Sequence, residues 1–570
     1  MIPLFVIKRN GYKVDFDKAK IALAIKKGFD SVYEEYDEKK VRDVLEAVLK
    51  KISQSDDDKI KIELIQDYIE DVLKSCDKEV YKSFSEYREK RKQARELLLD
   101  DKKSKNFLKN IENITFKDNK EASFILTNKY AYAIMDLISY SYLIKKKYLK
   151  YLEDASYFLD TSSNYLSSLM LNLGLDYERI MSNTSIRETL DIKPLKGVKG
   201  LLDNLYYLIT KIDKDLSGEI VVLSLDELIY KAYLEDLDSF YNKYLNILIM
   251  YEELDTFIDI KKIGKYKNHK KVGAIIKKAE ALAKEEAMKK MLKDYKAFIS
   301  LLKKTIPFDH ITLSFKGSTL SNLLYKETRG LKVIMTKEAS LAISKFHNDT
   351  YISYKGENYT SSGFYIYENY LDANKLGFKS RSMLANLNIN LNRALLKEGD
   401  TFNNINDLLE VSLAFLADYY DYLCKKYASN APFLMQGVYL DSERLKKEDM
   451  LRRSIKQGVL GISLIGLDNL YQKNKSLTKK VLELVNTYVD NYKKEGLTIL
   501  LNASSTKTNF KEMDLMIYGE RKGITDKPYT ALADISLMNK YFKGGYVIAS
   551  TIKEAELNNY NFIKLINVVE

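Results

Sequence analysis

Cysteine is almost absent from this 570-residue chain, which has only Cys76 and Cys424. Two thiols far apart cannot supply the four ligands of a thiolate zinc site, and unpaired thiols fit a reducing cytoplasm. The chain also has five prolines, no tryptophan and three histidines, which are scattered at positions 269, 310 and 347. We therefore expect a cytoplasmic protein without a bound metal ion.

Long apolar runs are missing too, since none approaches the roughly 20 residues that span a bilayer. The N-terminus reaches Lys8 and Arg9 at once, which is unlike a signal peptide. We therefore expect no contact with a membrane. The sequence also has no P-loop, no Gly-x-Ser-x-Gly and no Gly-x-Gly-x-x-Gly motif, so the common nucleophile and phosphate-loop enzymes are not indicated.

Positive charge is in excess, with a formal net charge of +12. Polyanions, including nucleotides, are therefore plausible partners. Residues 261–271 carry six lysines around His269 and could contact a phosphate backbone. A solvated surface is the preferred interpretation, because lysine is abundant throughout the chain. Nucleic acid is not expected as a partner.

The first 98 residues are expected to form a small domain of a β-hairpin and helices. Short strands are predicted at residues 4–8 and 13–16, and they flank Asn10-Gly11, which is a strong hairpin turn signal. Asp17 then predicts the cap of a helix, and helical periodicity recurs near residues 41–49 and 62–72. A long charged helix follows. Residues 99–120 are expected to be a linker, and residues 121–570 a second domain.

Cations cluster in this first domain. Lys8 and Arg9 beside Gly11 can bring charges and backbone N–H groups to a phosphate chain. Lys20 lies one turn into the following helix and can reach the same place. Two arginines of the long helix, Arg88 and Arg91, supply further positive charge.

The body of the chain alternates helices with short strand-like runs. The clearest runs are residues 219–224, 310–315, 384–391 and 546–551. Strands separated by helices predict an α/β fold, and a barrel is one form of it.

Residues 6–11 and 16–21, with 62–67 and 87–91, resemble the ATP-cone, a regulatory nucleotide-binding module of ribonucleotide reductases. The resemblance implies binding of ATP or dATP, with Lys8, Arg9 and Lys20 on the phosphates and Val6 against the base. Val14 occupies a position that is often acidic in that family.

The remainder resembles the large subunit of class III, the anaerobic glycyl-radical ribonucleotide reductases. The matching blocks are residues 388–393, 430–434, 437–441, 458–467 and 523–530. The resemblance implies a ten-stranded α/β-barrel that pairs as a homodimer or higher oligomer. A reductase or activase is a possible protein partner.

The residues of the family's chemistry differ here. The family's radical cysteine lies in a Gly-Cys-Arg tip, for which this chain has Gly363-Phe364-Tyr365, and the reducing cysteine corresponds to Tyr165. No Arg-x-x-Gly-Tyr or Cys-x-x-Cys sequence occurs. We therefore expect a degenerate barrel without the zinc and glycyl-radical C-terminus, hence without zinc or a glycyl radical.

Two functions remain open from the sequence. The preferred one is a non-catalytic protein that binds ATP or dATP and regulates through oligomerisation. The alternative is an active or split anaerobic ribonucleoside-triphosphate reductase component that makes deoxyribonucleotides.

Overall fold

The computed structural model describes most of the chain. The described ranges are residues 3–7, 13–33, 35–54, 57–99, 123–139, 143–160, 169–216, 218–251, 269–366, 377–494, 497–502, 541–542, 548–557 and 561–565. The chain divides into two units, residues 1–146 and 147–570. The predicted linker at 99–120 lies almost entirely outside the described residues, and the predicted domain bounds stay a prediction.

The first unit begins with the expected β-hairpin. Its strands are β1 (Phe5–Ile7) and β2 (Lys13–Asp15), and a third strand, β3 (Lys59–Lys61), lies parallel to β1. Val6 is the central residue, paired with Val14 on one side and Ile60 on the other. The predicted turn at Asn10-Gly11 lies outside the described residues.

Five helices of the first unit are described. They are α1 (Lys18–Asp30), α2 (Glu38–Ile52), α3 (Ile62–Cys76), α4 (Lys78–Leu99) and α5 (Ser123–Ile138). The runs of helical periodicity predicted near residues 41–49 and 62–72 lie in α2 and α3. The Asp17 side chain accepts a hydrogen bond from Ala19 N at 2.9 Å, so the predicted cap of α1 is confirmed. The buried faces of α1–α3 meet in one apolar core that includes Val6, Ile25 and Phe29.

Eleven strands of the second unit are described, and they form two sheets. They are β4 (Tyr157–Asp160), β5 (Asn172–Leu175), β6 (Glu219–Val222), β7 (Ile311–Phe315), β8 (Lys332–Thr336), β9 (Thr350–Ser353), β10 (Met383–Asn390), β11 (Val459–Ile465), β12 (Ile499–Asn502), β13 (Ile548–Ser550) and β14 (Phe562–Leu565). All four runs predicted as strands are among them, with ends shifted by at most two residues.

Strands β5 to β9 are parallel neighbours, and β14 continues this sheet antiparallel to β9, with β13 beyond it. The other sheet has the order β12-β11-β10-β4, with β10 to β12 parallel. The sheets meet where Leu171 N donates to Met383 O at 2.9 Å and Gly174 N to Arg381 O at 3.1 Å. Among the described residues no ladder joins β12 to β13. The mixed α/β fold is confirmed, and barrel closure stays a prediction.

Helices connect and flank these strands. They are α6 (Lys146–Glu153), α7 (Tyr177–Ser182), α8 (Thr184–Thr189), α9 (Gly197–Asp215), α10 (Leu225–Tyr251), α11 (Lys270–Thr305), α12 (Ser321–Glu327), α13 (Lys337–Leu341), α14 (Leu391–Leu395), α15 (Thr401–Cys424), α16 (Arg452–Ile455), α17 (Leu467–Lys473), α18 (Lys475–Lys494) and α19 (Ile552–Leu557). Within the described part of the chain, no helix has both the length and the apolarity to span a bilayer.

Candidate functional site

A cavity of about 530 Å³ opens in the first unit against helices α1, α3 and α4. We call it the cone cavity. It is lined by Lys20, Leu23, Ala24, Lys27, Gly28, Ser31, Gln66, Ser83, Phe84, Tyr87 and Arg88. Positive, aromatic and small polar side chains therefore face one space, and this mixture suits a ligand that has a planar ring and negative charge.

The α1 wall has a regular spacing. Lys20, Ala24, Lys27 and Ser31 recur at steps of three or four residues, which places them on one face of the helix. Lys20 is 78% exposed at its side chain, with its ammonium 3.9 Å from an Asp17 carboxylate oxygen. A weak surface pair of this kind leaves the ammonium able to turn toward an anion.

Small side chains bring α1 close to α4. A Cβ at Gly28 would lie 3.3 Å from Val80 Cγ1, so a larger residue here would have to displace its neighbour. At the end of α1, the Ser31 and Ser83 hydroxyl oxygens are 2.8 Å apart. This contact joins the end of α1 to α4 in the lining of the cone cavity.

The α4 wall carries Phe84, Tyr87 and Arg88. Tyr87 is 57% exposed, so its ring face can stack on a planar group. Arg88 is held by three carboxylates of α3. Its guanidinium lies 3.1 Å from Glu63, 2.6 Å from Asp67 and 2.8 Å from Glu70.

Burial lowers the pKa of Arg88, but the hydrogen bonds to Asp67 and Glu63 outweigh it and leave the pKa raised. Arg88 therefore stays charged and ties α3 to α4, while its charge is matched by acidic neighbours.

The predicted nucleotide-binding residues are described only in part. Val6 lies in β1 and is 8% exposed, whereas Lys20 and Arg88 line the cone cavity. Lys8, Arg9 and Gly11 lie outside the described residues, as does the side chain of Arg91. Their assignment stays a prediction.

Sequence reasoning missed Lys27, Gln66, Phe84 and Tyr87, which also line the cavity. The spacing of Lys20 and Lys27, seven residues apart on one helix face, was the available signal for Lys27. The aromatic pair 84 and 87 carried a similar but weaker one, because aromatic residues on helices usually serve packing.

The second unit has a hairpin whose tip is Thr360–Phe364. Thr360 N donates to Phe364 O at 3.0 Å and Gly363 N to Thr360 O at 2.9 Å, while Tyr359 and Tyr365 form an antiparallel bridge. Gly363 has φ +81°, a conformation that favours glycine. Phe364 lies at this tip, and its correspondence to the family's radical cysteine stays a prediction.

Phe364 is 2% exposed and packs between the two sheets. Its apolar cluster comprises Leu171, Val221, Leu223, Ile366, Phe378, Met383, Val459 and Leu500. These side chains come from β6, β10, β11, β12 and nearby loops. The ring is thus surrounded by hydrocarbon. Tyr165, the other predicted substitution, lies outside the described residues.

Two carboxylates anchor the hairpin, one buried (Glu219) and one half-buried (Glu357). Glu219 on β6 accepts from Ser361 N at 3.1 Å and from the Thr312 hydroxyl. Glu357, in the hairpin arm, accepts from Ser224 N at 2.7 Å and from Ser314 Oγ at 2.6 Å. These bonds hold the hairpin against β6 and β7.

No group of three or more His, Cys, Asp or Glu side chains is arranged to hold a metal ion in the described part of the chain. Of the two cysteines, Cys76 is exposed and Cys424 is buried at the end of α15. Burial raises the pKa of the Cys424 thiol, which keeps it protonated and unreactive.

Most of the sequence blocks that resemble the reductase family correspond to described structural elements. Residues 458–467 contain β11, which is followed by Gly466 with φ +82°. Residues 388–393 hold the end of β10 and the start of α14. In the block at 430–434, Phe433 N and Leu434 N donate to the Asp215 carboxylate at 2.7 and 2.8 Å. Residues 523–530 lie outside the described residues.

Comparisons with known protein families match two separate parts of the chain. Residues 4–93 match the family model of the ATP cone domain, and residues 257–541 match that of the anaerobic ribonucleoside-triphosphate reductase. The second match spans half of the chain. No curated protein matches.

Solved structures with a similar chain path include anaerobic ribonucleotide reductases from Thermotoga maritima. The complex with dATP and CTP has 11% identity and a TM-score of 0.43, covering 94% of this chain and 91% of that one. The form with citrate in the active site has 9% identity and a TM-score of 0.42, covering 81% and 88%. The assignment rests on the family matches: this chain belongs to the anaerobic ribonucleoside-triphosphate reductase family and carries an N-terminal ATP cone.

Proposed function

We propose that this chain is a regulatory member of its family, which binds ATP or dATP at the cone and does not reduce ribonucleotides. Nucleotide binding shifts its oligomeric equilibrium. The observation that carries the proposal is the contrast between its two sites. The cone cavity keeps charged and aromatic side chains, whereas Phe364 fills the position expected for the radical cysteine.

The cone cavity supports the binding part of the proposal. Lys20 and Lys27 offer ammonium groups to phosphates, and the Tyr87 ring offers a stacking face to a base. Lys8 and Arg9, which lie outside the described residues, add positive charge to the proposed site. The cavity of about 530 Å³ lies within the usual range of small-molecule sites.

The surroundings of Phe364 support the non-catalytic part. A thiyl radical needs a sulfur atom, and a phenyl ring offers no S–H bond from which one could form. The apolar cluster around the ring also offers no hydrogen-bond partner to a ribose, and burying ribose hydroxyls there would be unfavourable.

Calorimetry on the full chain tests the binding. We expect micromolar affinity for ATP or dATP, on the order of −8 kcal/mol, because two or three charge-assisted contacts converge on the phosphates. A Lys8→Ala, Lys20→Ala double variant should bind at least about tenfold more weakly. Lys40→Ala, an exposed lysine on α2 away from the cavity, is the matched control. Unchanged binding in the double variant would place the nucleotide elsewhere.

Anaerobic assay tests the non-catalytic part. The chain is incubated with a class III activase, a ribonucleoside triphosphate, and formate or thioredoxin. We expect no deoxynucleotide above background and no glycyl EPR doublet. Product or radical would favour the alternative, an active or split reductase component. Oligomerisation requires a separate measurement, given in the Discussion.

A further inference from the structure

The cone cavity has a cationic end and a hydroxyl end. Lys20 lies in the first turn of α1, whereas Ser31 directly follows the last residue of that helix, and both line the cavity. Their separation in the sequence corresponds to roughly 16 Å along the helix axis. Lys27 lies between them, and helical side chains lean toward the N-terminus, so its stem extends toward Lys20. An anionic group of a ligand therefore belongs at the Lys20 end.

Helix α4 runs antiparallel to α1 along the cavity. Just beyond α1, the Tyr33 hydroxyl donates to an Asp77 carboxylate oxygen at 3.0 Å, immediately before α4 begins. Further along α4, the hydroxyl oxygens of Ser83 and Ser31 are 2.8 Å apart, and Tyr87 follows Ser83 by one helical turn. A planar group stacked on the Tyr87 ring therefore has its edge beside the Ser83 hydroxyl.

The protons of the two serine hydroxyls have a fixed direction. Ser31 Oγ donates to Gly28 O at 2.7 Å. This carbonyl is among the last four of α1, which have no N–H partner inside the helix. Because a hydroxyl has only one proton to donate, Ser83 must be the donor in its contact with Ser31.

The Ser83 oxygen is consequently left as an acceptor. A hydroxyl oxygen has two lone pairs, and no described residue donates a hydrogen bond to Ser83 Oγ. Since its proton is committed to Ser31, this atom can accept a hydrogen bond from a ligand but cannot donate one. The cations, the Tyr87 ring and this acceptor match a ligand with a negative group, a planar ring and an N–H donor on the far edge of that ring.

We propose that Ser83 reads the base of the nucleotide in the cone cavity. The exocyclic amino group of adenine donates to Ser83 Oγ, and the triphosphate extends toward Lys20. Hypoxanthine and guanine have a carbonyl oxygen in place of that amino group, and it would face the Ser83 oxygen without a proton between them. The base thus lies against α4 and not against Val6, which is not among the residues lining the cavity. This inference rests on the proposed binding of nucleotide at the cone.

Calorimetry of the full chain with ATP and ITP tests the acceptor, because the two differ chiefly in this amino or carbonyl group. We expect ATP to bind about tenfold more tightly than ITP, the worth of roughly one hydrogen bond. Ser83→Ala should weaken ATP about tenfold and leave ITP nearly unchanged. Ser31→Ala should instead strengthen ITP about threefold, because the released Ser83 proton can then donate to the carbonyl. A merely structural role of the serines would weaken both nucleotides together.

The matched control is Ser75→Ala, because the Ser75 hydroxyl donates to Val72 O within α3 and does not line the cavity. This variant should keep the preference for ATP. Equal binding of ATP and ITP by the native chain, or a preference that survives Ser83→Ala, would overturn the inference and leave nucleotide binding standing. If neither nucleotide binds, the proposed function falls as well. A loss of ATP affinity in Ser83→Ala that dATP does not share would assign the acceptor to the ribose hydroxyl and overturn the assignment to the base.

Discussion

Phe364 is a buried packing residue of the second unit. Its ring is 2% exposed and touches side chains from both sheets. Phe364→Ala should therefore leave a cavity that the sheets cannot close, lowering the free energy of unfolding by about 3–5 kcal/mol. Chemical denaturation measures this. Phe308→Ala, at a phenylalanine that is 42% exposed, should cost about 1 kcal/mol or less. Equal losses in both variants would mean that Phe364 is not a packing centre.

Lys426 gives a residue-scale dependence on pH. Burial lowers its pKa from 10.5 to about 8. Below pH 8 the Lys426 ammonium is charged in the folded state, and burial of that charge lowers the free energy of unfolding. Between pH 8 and 10.5 the folded lysine loses its proton while the unfolded one keeps it, so stability rises with pH in that window. Lys426→Met should stabilise the protein by about 1 kcal/mol at pH 7.

The gain from Lys426→Met should vanish above pH 10.5. Thermal unfolding of both proteins across this range checks it. A pH-independent difference would contradict the assignment to burial of charge.

The contact partners of individual side chains were the hardest feature to predict from the sequence. The charge of Arg88 and its helix could be predicted, but its three carboxylates could not. Glu63, Asp67 and Glu70 are 18 to 25 positions earlier in the sequence and reach Arg88 only because α3 packs on α4. Likewise, Phe364 was selected by its place in a motif, whereas its enclosure depends on strands far along the chain.

At the scale of elements, β11 shows how backbone and side chains are matched across a sheet. Gly461 leaves room for the Asn386–Asn502 hydrogen bond above it. Gly461→Ala should force those amides apart and destabilise the protein by about 1–3 kcal/mol. Chemical denaturation measures this loss.

Gly399→Ala is the comparison for that variant. No atom lies within 4 Å of its added Cβ, but its φ is +99°, so only backbone strain of about 1 kcal/mol is expected. If Gly461→Ala is neutral, the amides are not fixed as described.

Elements with a strong local signal were predictable. Asp17 caps α1 as predicted, and the Asn10-Gly11 turn signal predicted the antiparallel pairing of β1 with β2. Short strands such as β3 and β5 were missed, because three or four residues carry too little periodicity. Partners such as β5 and β10 are separated by more than 200 residues, and local sequence does not encode their contact.

At the scale of the whole molecule, the proposed function requires that nucleotide changes association. A ligand shifts an equilibrium only by its differential affinity for the two states. A coupling of roughly 1–3 kcal/mol would shift apparent association about 5–150-fold. Mass photometry of the apo, ATP and dATP forms at one protein concentration resolves such a change.

A Lys20→Ala, Lys27→Ala double variant should lose the nucleotide effect on mass, while Lys40→Ala should keep it. Identical mass distributions in all three forms of the native chain would mean that nucleotide does not control assembly. An effect that persists in the double variant would point to a second nucleotide site.

The acidic surroundings of Arg88 have a consequence for ionic strength. Three carboxylates already neutralise this cation, so the helical wall attracts a triphosphate chiefly through Lys20 and Lys27. Long-range attraction of this kind is screened within about 8–10 Å at ordinary salt. Nucleotide held only by the cone cavity should therefore lose a modest part of its affinity as salt is added, because only two cations of the helical wall contribute. A steeper fall of affinity with salt would instead assign most of the binding charge to Lys8 and Arg9.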